Sequence, residues 1–279
     1  MQEITPRINF ATELANLFDL TGKVMYIPGG YGGIGEAIAW GAALRRAKVV
    51  VSGRSGDKAN TLAQQLRAAG FEAEGCAVNV KSVAEIQESV DYVVDTYGSL
   101  DILVNCVGIQ REQHLLDVTE EAFDEVYTVN LKAAMFLAQA AGRHQIDAKQ
   151  GGKQIHLLSV RSHLGLRDRG YSAYCSTKGA LVMLIKQHAI ELAPHQINVN
   201  GVAPTFVHTE MIRHVMENDE FRTSLLERIP LGRIADPKDI VGATLFFSAP
   251  ASDFVTGQIL YVDGGFTAGL AWPIDFESQ

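Results

Sequence analysis

The chain has 279 residues, of which 47% are hydrophobic and 20% charged, and its 24 Lys and Arg against 32 Asp and Glu give a formal net charge of −8. This composition predicts a soluble globular protein, and the acidic balance argues against a nucleic-acid partner. The longest apolar runs, at residues 49–51 and 102–104, have the length of strands and fall far short of the roughly 18 residues of a membrane-spanning helix, so no membrane partner is expected.

Residues 1–20 are predicted to form an N-terminal arm. Leu14, Leu17 and Phe18 recur there at helical spacing, which favours a helix packed on the domain that follows. The segment has neither the basic patch nor the apolar core of a signal peptide. Three scattered cysteines without a C-x-x-C pair favour a reducing, cytoplasmic compartment, and the scattered histidines indicate no metal site.

From residue 21 to residue 265, short apolar runs alternate with helical stretches. Strands are predicted at 23–27, 48–52, 74–79, 102–105, 154–159, 197–202 and 259–262. Helices are predicted at 33–45, 58–69, 83–97, 120–143, 173–192 and 238–248. Because most strands are continuously apolar, as parallel strands covered on both faces are, this alternation predicts one α/β domain. Its core is a doubly wound, Rossmann-type parallel sheet of seven strands with helices on both faces.

Two segments lie outside the repeat. Residues 206–229, which include Val215, Phe221 and His214, are predicted to form a helical lid over a pocket. Residues 266–279 form an apolar C-terminal tail that carries Trp272 and Phe276. We expect this tail to cover a site, either of its own chain or of a neighbouring copy.

A glycine-rich turn joins the first predicted strand to the first helix of the repeat. Gly29, Gly33 and Gly35 permit a tight turn and a close approach of the backbone to a pyrophosphate, whose charge the helix N-terminus favours. A glycine cluster by itself also marks ordinary turns. Its position between a strand and a helix favours a dinucleotide site.

The end of the second strand indicates which dinucleotide binds. It reads Ser52-Gly53-Arg54, with a cation where an NAD-binding chain would place a carboxylate on the ribose. NADP(H) is therefore favoured, while the nearby Asp57 keeps NAD(H) open. The alternative interpretation of Arg54 is a solvated loop cation.

Tyr174 and Lys178 are spaced i and i+4, which puts a phenol and an ammonium on one face of a predicted helix. A free tyrosine has a pKa near 10, and a cation within about 4 to 6 Å lowers it. The pair therefore suits proton exchange with a hydroxyl or a carbonyl. Alone, the same spacing is common on helix surfaces.

Taken together, these motifs resemble the short-chain dehydrogenase/reductase family over residues 21–265. The motifs that carry the resemblance are Gly29, Gly33 and Gly35, then Asn105-Cys106-Val107-Gly108, Asn130, a serine after the fifth strand, Tyr174 with Lys178, and Ala203-Pro204-Thr205. Residues 17–23 and 160–162 are most similar to the gluconate 5-dehydrogenase-like and polyol or sugar dehydrogenase branches.

The resemblance implies hydride transfer between a nicotinamide and a carbon that bears a hydroxyl or carbonyl. It makes Tyr174 the general acid/base, gives Lys178 the role of lowering the pKa of that phenol, and has Asn130 keep a water in a proton relay. It also implies a homotetramer packed through the helices at 120–143 and 174–192. The cofactor-binding residues that it implies are Gly29, Tyr31, Gly33, Ile34, Gly35, Arg54, Asn79, Val80, Asn105, Val107, Gly108, Tyr174, Lys178, Pro204 and Val207.

The chain departs from the family pattern at several positions. Pro28 replaces a threonine and removes a hydroxyl and an N–H, and Cys106 and Val107 replace an asparagine and an alanine, so we expect an altered turn. Thr205 replaces a glycine after Pro204, and no consequence is assigned to it.

The catalytic serine is ambiguous in the sequence. The family's usual spacing back from Tyr174 lands on Arg161, which cannot polarise a substrate oxygen as a serine does. Ser159, at the end of the fifth strand, is favoured over Ser162 because strand ends are rigid.

The leading hypothesis is an NADP(H)-preferring enzyme that interconverts a secondary alcohol and a ketone on a small polyol, sugar or sugar acid. A 3-oxoacyl-thioester reductase is the rival enzyme, and a non-catalytic dinucleotide sensor is the alternative from another class. His163, Arg167 and Arg169 lie in the loop before Tyr174. They are interpreted either as contacts to a polar or anionic substrate or as three exposed cations.

Overall fold

A computed structural model describes residues 10–167, 169–212 and 217–269. Seven parallel strands form one sheet in the order β3-β2-β1-β4-β5-β6-β7. The strands are β1 (Val24–Pro28), β2 (Lys48–Gly53), β3 (Ala73–Ala77), β4 (Ile102–Asn105), β5 (Gly152–Leu157), β6 (Ile197–Pro204) and β7 (Ile259–Val262). The predicted doubly wound, Rossmann-type fold is confirmed.

Helices cover both faces of the sheet. They are α1 (Phe10–Ala15), α2 (Gly33–Leu44), α3 (Gly56–Ala68), α4 (Val83–Tyr97), α5 (Glu120–Tyr127), α6 (Ala133–Ala148), α7 (Ser172–Leu192), α8 (Asp219–Glu227) and α9 (Pro237–Ser248). Because side chains alternate along a strand, Val49 and Val51 pack in the layer of α2, α3 and α9, whereas Val50 packs in the layer of α4 and α6. No helix in the described part of the chain is both long and apolar enough to cross a membrane.

The strand order reverses between β1 and β4. These two strands pair in parallel with each other, and β1 pairs in parallel with β2 on its other side. In an open α/β sheet, the crevice beyond the carboxyl ends of the strands at this reversal is where ligands bind. The turns after β1, β4, β5 and β6 all meet at this edge, and they carry most of the predicted site residues.

The helix predicted at 120–143 is interrupted, so that prediction is wrong in its middle. A π-helical turn, Thr128–Lys132, separates α5 from α6. Asn130 within it is buried, accepts a hydrogen bond from Ile109 N (2.8 Å) and donates to Ile109 O (2.9 Å). These two bonds hold the extra residue that widens the turn, a feature common at functional sites.

The segments at the edges of the domain differ from their predictions. Leu14 and Phe18 are 59% and 47% exposed, so the expected apolar packing of the arm is wrong for these two side chains. The arm attaches instead through Leu17 O, which accepts from Ala251 N (2.9 Å), and through buried Leu20.

Within residues 206–229 the structure shows a 3-10 turn at Glu210–Ile212 and helix α8. Phe221 and Leu225 of α8 pack in a cluster with Val160 and Phe266. His214 and Val215 of the predicted lid lie outside the described residues. So do Trp272 and Phe276 of the predicted tail.

A close approach between a helix and the sheet gives a stability prediction. A Cβ on Gly75 of β3 would lie 2.5 Å from the Ala59 carbonyl carbon of α3, so Gly75→Ala is expected to lower the free energy of unfolding by about 1 to 3 kcal/mol. Gly242 of α9 is the control, because a Cβ there meets nothing within 4 Å. Gly242→Ala should stabilise the helix by about 0.5 to 1 kcal/mol. Urea unfolding measures both, and a Gly75→Ala variant as stable as the wild type would contradict this packing.

Candidate active site

A cavity of about 740 Å³ lies at the carboxyl edge of the sheet, within the range of about 300 to 1,000 Å³ that is usual for small-molecule sites. Most of the predicted site residues line it: Gly29, Tyr31, Gly33, Ile34, Gly35, Arg54, Asn79, Val80, Val107, Gly108, Ser159, Tyr174, Lys178, Pro204 and Val207. Asn105, Asn130 and Ser162 are not among the lining residues. The structure therefore brings together residues from both halves of the chain.

The glycine turn fits a dinucleotide backbone. Gly29 has a positive φ of 77°, and a Cβ on it would lie 2.9 Å from the Cys106 carbonyl carbon. Pro28 O accepts a hydrogen bond from Cys106 N (2.9 Å), so the turn stays tied to the end of β4 despite the missing threonine hydroxyl. Helix α2 begins at Gly33 without a side-chain cap. Gly35 N donates to Gly32 O (2.7 Å), whereas the N–H groups of Gly33 and Ile34 remain for a pyrophosphate.

The end of β2 presents a cation to the cavity. The exposed Arg54 lines it, whereas Asp57 lies in the first turn of α3 and is not a lining residue. Tyr31 packs over Gly53, and its hydroxyl accepts from Ser55 N (3.0 Å). This end of the cavity fits a 2′-phosphate better than a bare ribose.

Two asparagines predicted as site residues, Asn105 and Asn130, do not line the cavity but bond to segments that do. Asn105 is buried, and its Oδ1 accepts from Val107 N (3.0 Å), so it shapes the turn rather than contacting a cofactor as predicted. The side chain of Asn130 is bonded to Ile109, as described above, and donates to Thr177 Oγ1 (3.2 Å). Both side chains hold turns that line the site.

Ser159 lies beside Tyr174. The serine follows β5, its Oγ accepts from Arg161 N (3.2 Å), and its side chain is close enough to the Tyr174 hydroxyl to lower the pKa of that phenol. The rival, Ser162, lies 3.4 Å from the Tyr261 hydroxyl through its Oγ. The geometry therefore favours Ser159 as the partner of Tyr174.

Lys178 is buried beside Tyr174. Its Nζ donates to Leu157 O (2.7 Å) and lies 5.7 Å from the centroid of the Tyr174 ring. Burial lowers the pKa of Lys178 to about 8. Tyr174 and Lys178, which the sequence spacing puts one helical turn apart, therefore lie next to each other in the structure.

The expectation that Lys178 depresses the pKa of Tyr174 is wrong for this structure. Burial raises the pKa of Tyr174 to about 12, and the opposing influences are the nearby Ser159 side chain and the charge of Arg161. Desolvation of the anionic form outweighs both. At neutral pH the phenol is therefore protonated, the form that donates a proton to a carbonyl oxygen.

Three polar side chains that line the cavity were missed as site residues. Gln110 Nε2 and Oε1, Arg161 Nη2 and Thr205 Oγ1 are buried without a hydrogen-bond partner. They follow β4, β5 and β6, which are adjacent strands. Because an unpaired buried polar group is costly, their grouping indicates a polar ligand. In the sequence, Arg161 and Thr205 are marked only as departures from the family pattern, and Gln110 is marked only by its position after a strand.

Other charged residues near the cavity are paired. Lys81 and Arg111 each bond Glu125 at 2.8 Å. Arg169 forms a two-pronged ion pair with Glu112 and does not line the cavity, so it gives no support to the predicted substrate contact. Within residues 10–167, 169–212 and 217–269, no group of His, Cys, Asp or Glu could hold a metal ion.

Comparison with known proteins places this geometry among oxidoreductases. The profile of a family described as Enoyl-(Acyl carrier protein) reductase matches residues 29–267. The chain is 37% identical over 255 residues to 5-keto-D-gluconate 5-reductase of Escherichia coli K12, covering 91% of this chain and 99% of that one. It is 34% identical over 247 residues to 3-oxoacyl-[acyl-carrier-protein] reductase of Vibrio cholerae, covering 88% and 98%.

A solved structure is similar over nearly the full length. It is a gluconate 5-dehydrogenase from Burkholderia cenocepacia J2315 in complex with NADP and tartrate. The two chains are 36% identical with a TM-score of 0.88, and the match covers 92% of this chain and 100% of the other.

Replacing Lys178 with methionine is expected to flatten the pH dependence of stability above pH 8. The buried amine has a pKa of about 8 against an ordinary 10.5, so between these values the unfolded chain binds more protons. The wild-type free energy of unfolding should therefore rise over this interval by roughly 1 kcal/mol per pH unit from this group, and remain constant below it. Urea unfolding across this range measures the slope.

The matched control is Lys186→Met, at an exposed lysine of the same helix. Because this side chain is solvated in both states, the control should leave the slope of the wild type unchanged. A wild-type stability that differs from that of Lys178→Met by the same amount at every pH would contradict the burial of a titrating amine.

Proposed function

The chain belongs to the short-chain dehydrogenase/reductase family, and we propose that it uses NADP(H) to interconvert a secondary alcohol and a ketone on a sugar acid of the gluconate type. As a member of this family it is an oxidoreductase that acts on CH–OH groups. The observation that carries the proposal is that Ser159, Tyr174 and Lys178 line one cavity together, beside buried polar side chains without hydrogen-bond partners.

The choice of NADP(H) rests on two parts of the cavity. The glycine turn and the start of α2 would hold the pyrophosphate, and Arg54 would pair with the 2′-phosphate. The NADP in the Burkholderia relative supports this choice. When bound, the nicotinamide supplies the hydride acceptor or donor.

The protein's own part in the reaction is proton transfer. In the reductive direction the Tyr174 phenol gives its proton to the substrate oxygen as the carbonyl carbon gains a hydride, which yields the alcohol. In the oxidative direction the phenolate takes the hydroxyl proton as the carbon loses the hydride. Ser159 orients the same oxygen by hydrogen bonding. A positioned acid/base of this kind contributes about 10²- to 10⁴-fold in rate.

Substrate class follows from the polar groups at the strand ends. Gln110, Arg161 and Thr205 have donors and acceptors that are not used within the protein, which suits a ligand with several hydroxyl groups and a charge. The Escherichia coli relative is named for a keto sugar acid, and the Burkholderia relative contains tartrate, a hydroxylated dicarboxylate. Similarity to the Vibrio reductase favours a 3-oxoacyl thioester as the second candidate substrate.

Assembly as a homotetramer in a reducing, cytoplasmic compartment is also proposed. Large apolar side chains on α5, α6 and α7 are exposed, as expected for helices that pack against other copies: Phe123, Tyr127, Met135, Met183 and Ile190. All three cysteines are free, in keeping with a reducing compartment.

A substrate panel tests the proposal. We expect 5-keto-D-gluconate with NADPH to give the highest kcat/KM, at least about tenfold above both the same substrate with NADH and acetoacetyl thioester with NADPH. Steady-state initial rates measure all three. Arg54→Gln should remove most of the preference for NADPH without changing the preference among substrates. Turnover confined to the thioester would contradict the proposed substrate, and a preference for NADH would contradict the proposed cofactor.

A further inference from the structure

We propose that the Arg161 guanidinium binds the carboxylate of the substrate and so makes the enzyme selective for sugar acids over neutral sugars. This inference rests on the proposed function and assigns the anionic end of the substrate to one residue. In the sequence Arg161 stands out only because it occupies the position where family spacing would put the serine.

Arg161 is a buried cation with an unused donor. It is 5% exposed, it lines the cavity, and its Nη1 donates to Gly165 O (2.6 Å). Its Nη2 is screened from solvent and has no hydrogen-bond partner. An arginine has donors in a planar fork that matches a carboxylate. One prong of that fork is anchored to the protein and the other is unpaired.

Two aromatic rings hold the guanidinium in place. Its central carbon lies 6.0 Å from the centroid of the Phe206 ring and 5.5 Å from that of Phe266, distances at which a cation is attracted to the ring face. The described residues form no ion pair with Arg161. Because a buried charge without a counter-charge is strongly unfavourable, this arrangement is explained most directly by an anionic ligand.

The other described cations that line the cavity are less suitable. Lys81 and Arg111 share the carboxylate of Glu125, and Lys178 donates to Leu157 O. Arg54 follows β2, which is three strand positions from β5 in the sheet, or about 14 Å at the usual spacing. Arg161 is therefore the cation that combines burial, an unpaired donor and a place near the acid/base.

Arg161 lies close to the reacting groups. It is two residues after Ser159, whose Oγ accepts its backbone N–H (3.2 Å). Its charge also acts on Tyr174, since it opposes the effect of burial on the pKa of that phenol. A carboxylate bound here would fix the keto acid by one end while Ser159 and Tyr174 contact the oxygen that reacts, as positioning of a substrate requires.

The test compares an acid with its neutral counterpart. L-Sorbose carries a hydroxymethyl group where 5-keto-D-gluconate carries the carboxylate. Arg161→Gln is expected to lower kcat/KM for 5-keto-D-gluconate by about 100-fold, mainly through KM, because a hydrogen-bonded charge partner is lost. The same variant should change kcat/KM for L-sorbose by less than about threefold. Arg161→Lys, which keeps the charge without the fork, should fall between Arg161→Gln and the wild type.

Calorimetric binding gives a readout that is independent of turnover. D-Gluconate and D-sorbitol are titrated into the NADPH-loaded protein, a combination that cannot react. Arg161→Gln should lose affinity for D-gluconate alone. Arg228→Gln is the matched control, because this exposed arginine lies near enough to influence the charge of Arg161 and carries the same charge change. It should stay within about threefold of the wild type, since an exposed charge is screened.

The outcomes separate the two proposals. Equal losses for acid and neutral ligands in Arg161→Gln, or no loss for either, would overturn the role of Arg161 and leave the sugar-acid function standing. A wild type that prefers L-sorbose or the thioester to 5-keto-D-gluconate would overturn the proposed function itself. A melting temperature of Arg161→Gln close to that of the wild type distinguishes loss of a ligand contact from loss of the fold.

Discussion

One buried hydrogen bond joins the two halves of the site. Lys178 Nζ, on helix α7, donates to the carbonyl of Leu157 at the end of β5 (2.7 Å). This contact fixes α7 against the strand that leads into Ser159, and one turn earlier the same helix carries Tyr174. The serine and the phenol lie beside each other because both of their supports are held together at this point. Apolar packing of Leu181 and Ile185 against β6 holds the same helix on the sheet.

Burial explains the electrostatic state of the site. The pKa of Tyr174 is raised and that of Lys178 lowered because both groups are removed from water. Gln110, Arg161 and Thr205 lie in the same desolvated region with unused hydrogen-bonding capacity. Such groups reduce the stability of the free protein and strengthen interactions with a complementary ligand. The net charge of −8 is compatible with anionic ligands because the binding groups are local.

The fold and much of the cavity lining could be predicted from the sequence, because continuous apolar strands and glycines at strand ends are local signals. Ser159 could be favoured over Ser162 for the same reason, since it follows a strand directly. The π-helical turn around Asn130 could not be predicted from the sequence, because it depends on a contact with the distant Ile109. Arg161 is buried between Phe206 and Phe266, and these three residues come from separate segments of the chain. No local sequence pattern predicts this burial. The pKa of Tyr174 likewise depends on packing from all sides.

The reaction proposed for this site requires Ser159 and Tyr174 to act together on the substrate oxygen that reacts. The most direct measurement is the single-turnover rate of 5-keto-D-gluconate reduction by NADPH in Ser159→Ala, with Ser162→Ala as the matched serine. We expect a loss of about 10²- to 10⁴-fold for Ser159→Ala and a rate close to that of the wild type for Ser162→Ala. A large loss in Ser162→Ala with an unchanged rate in Ser159→Ala would contradict the role of Ser159.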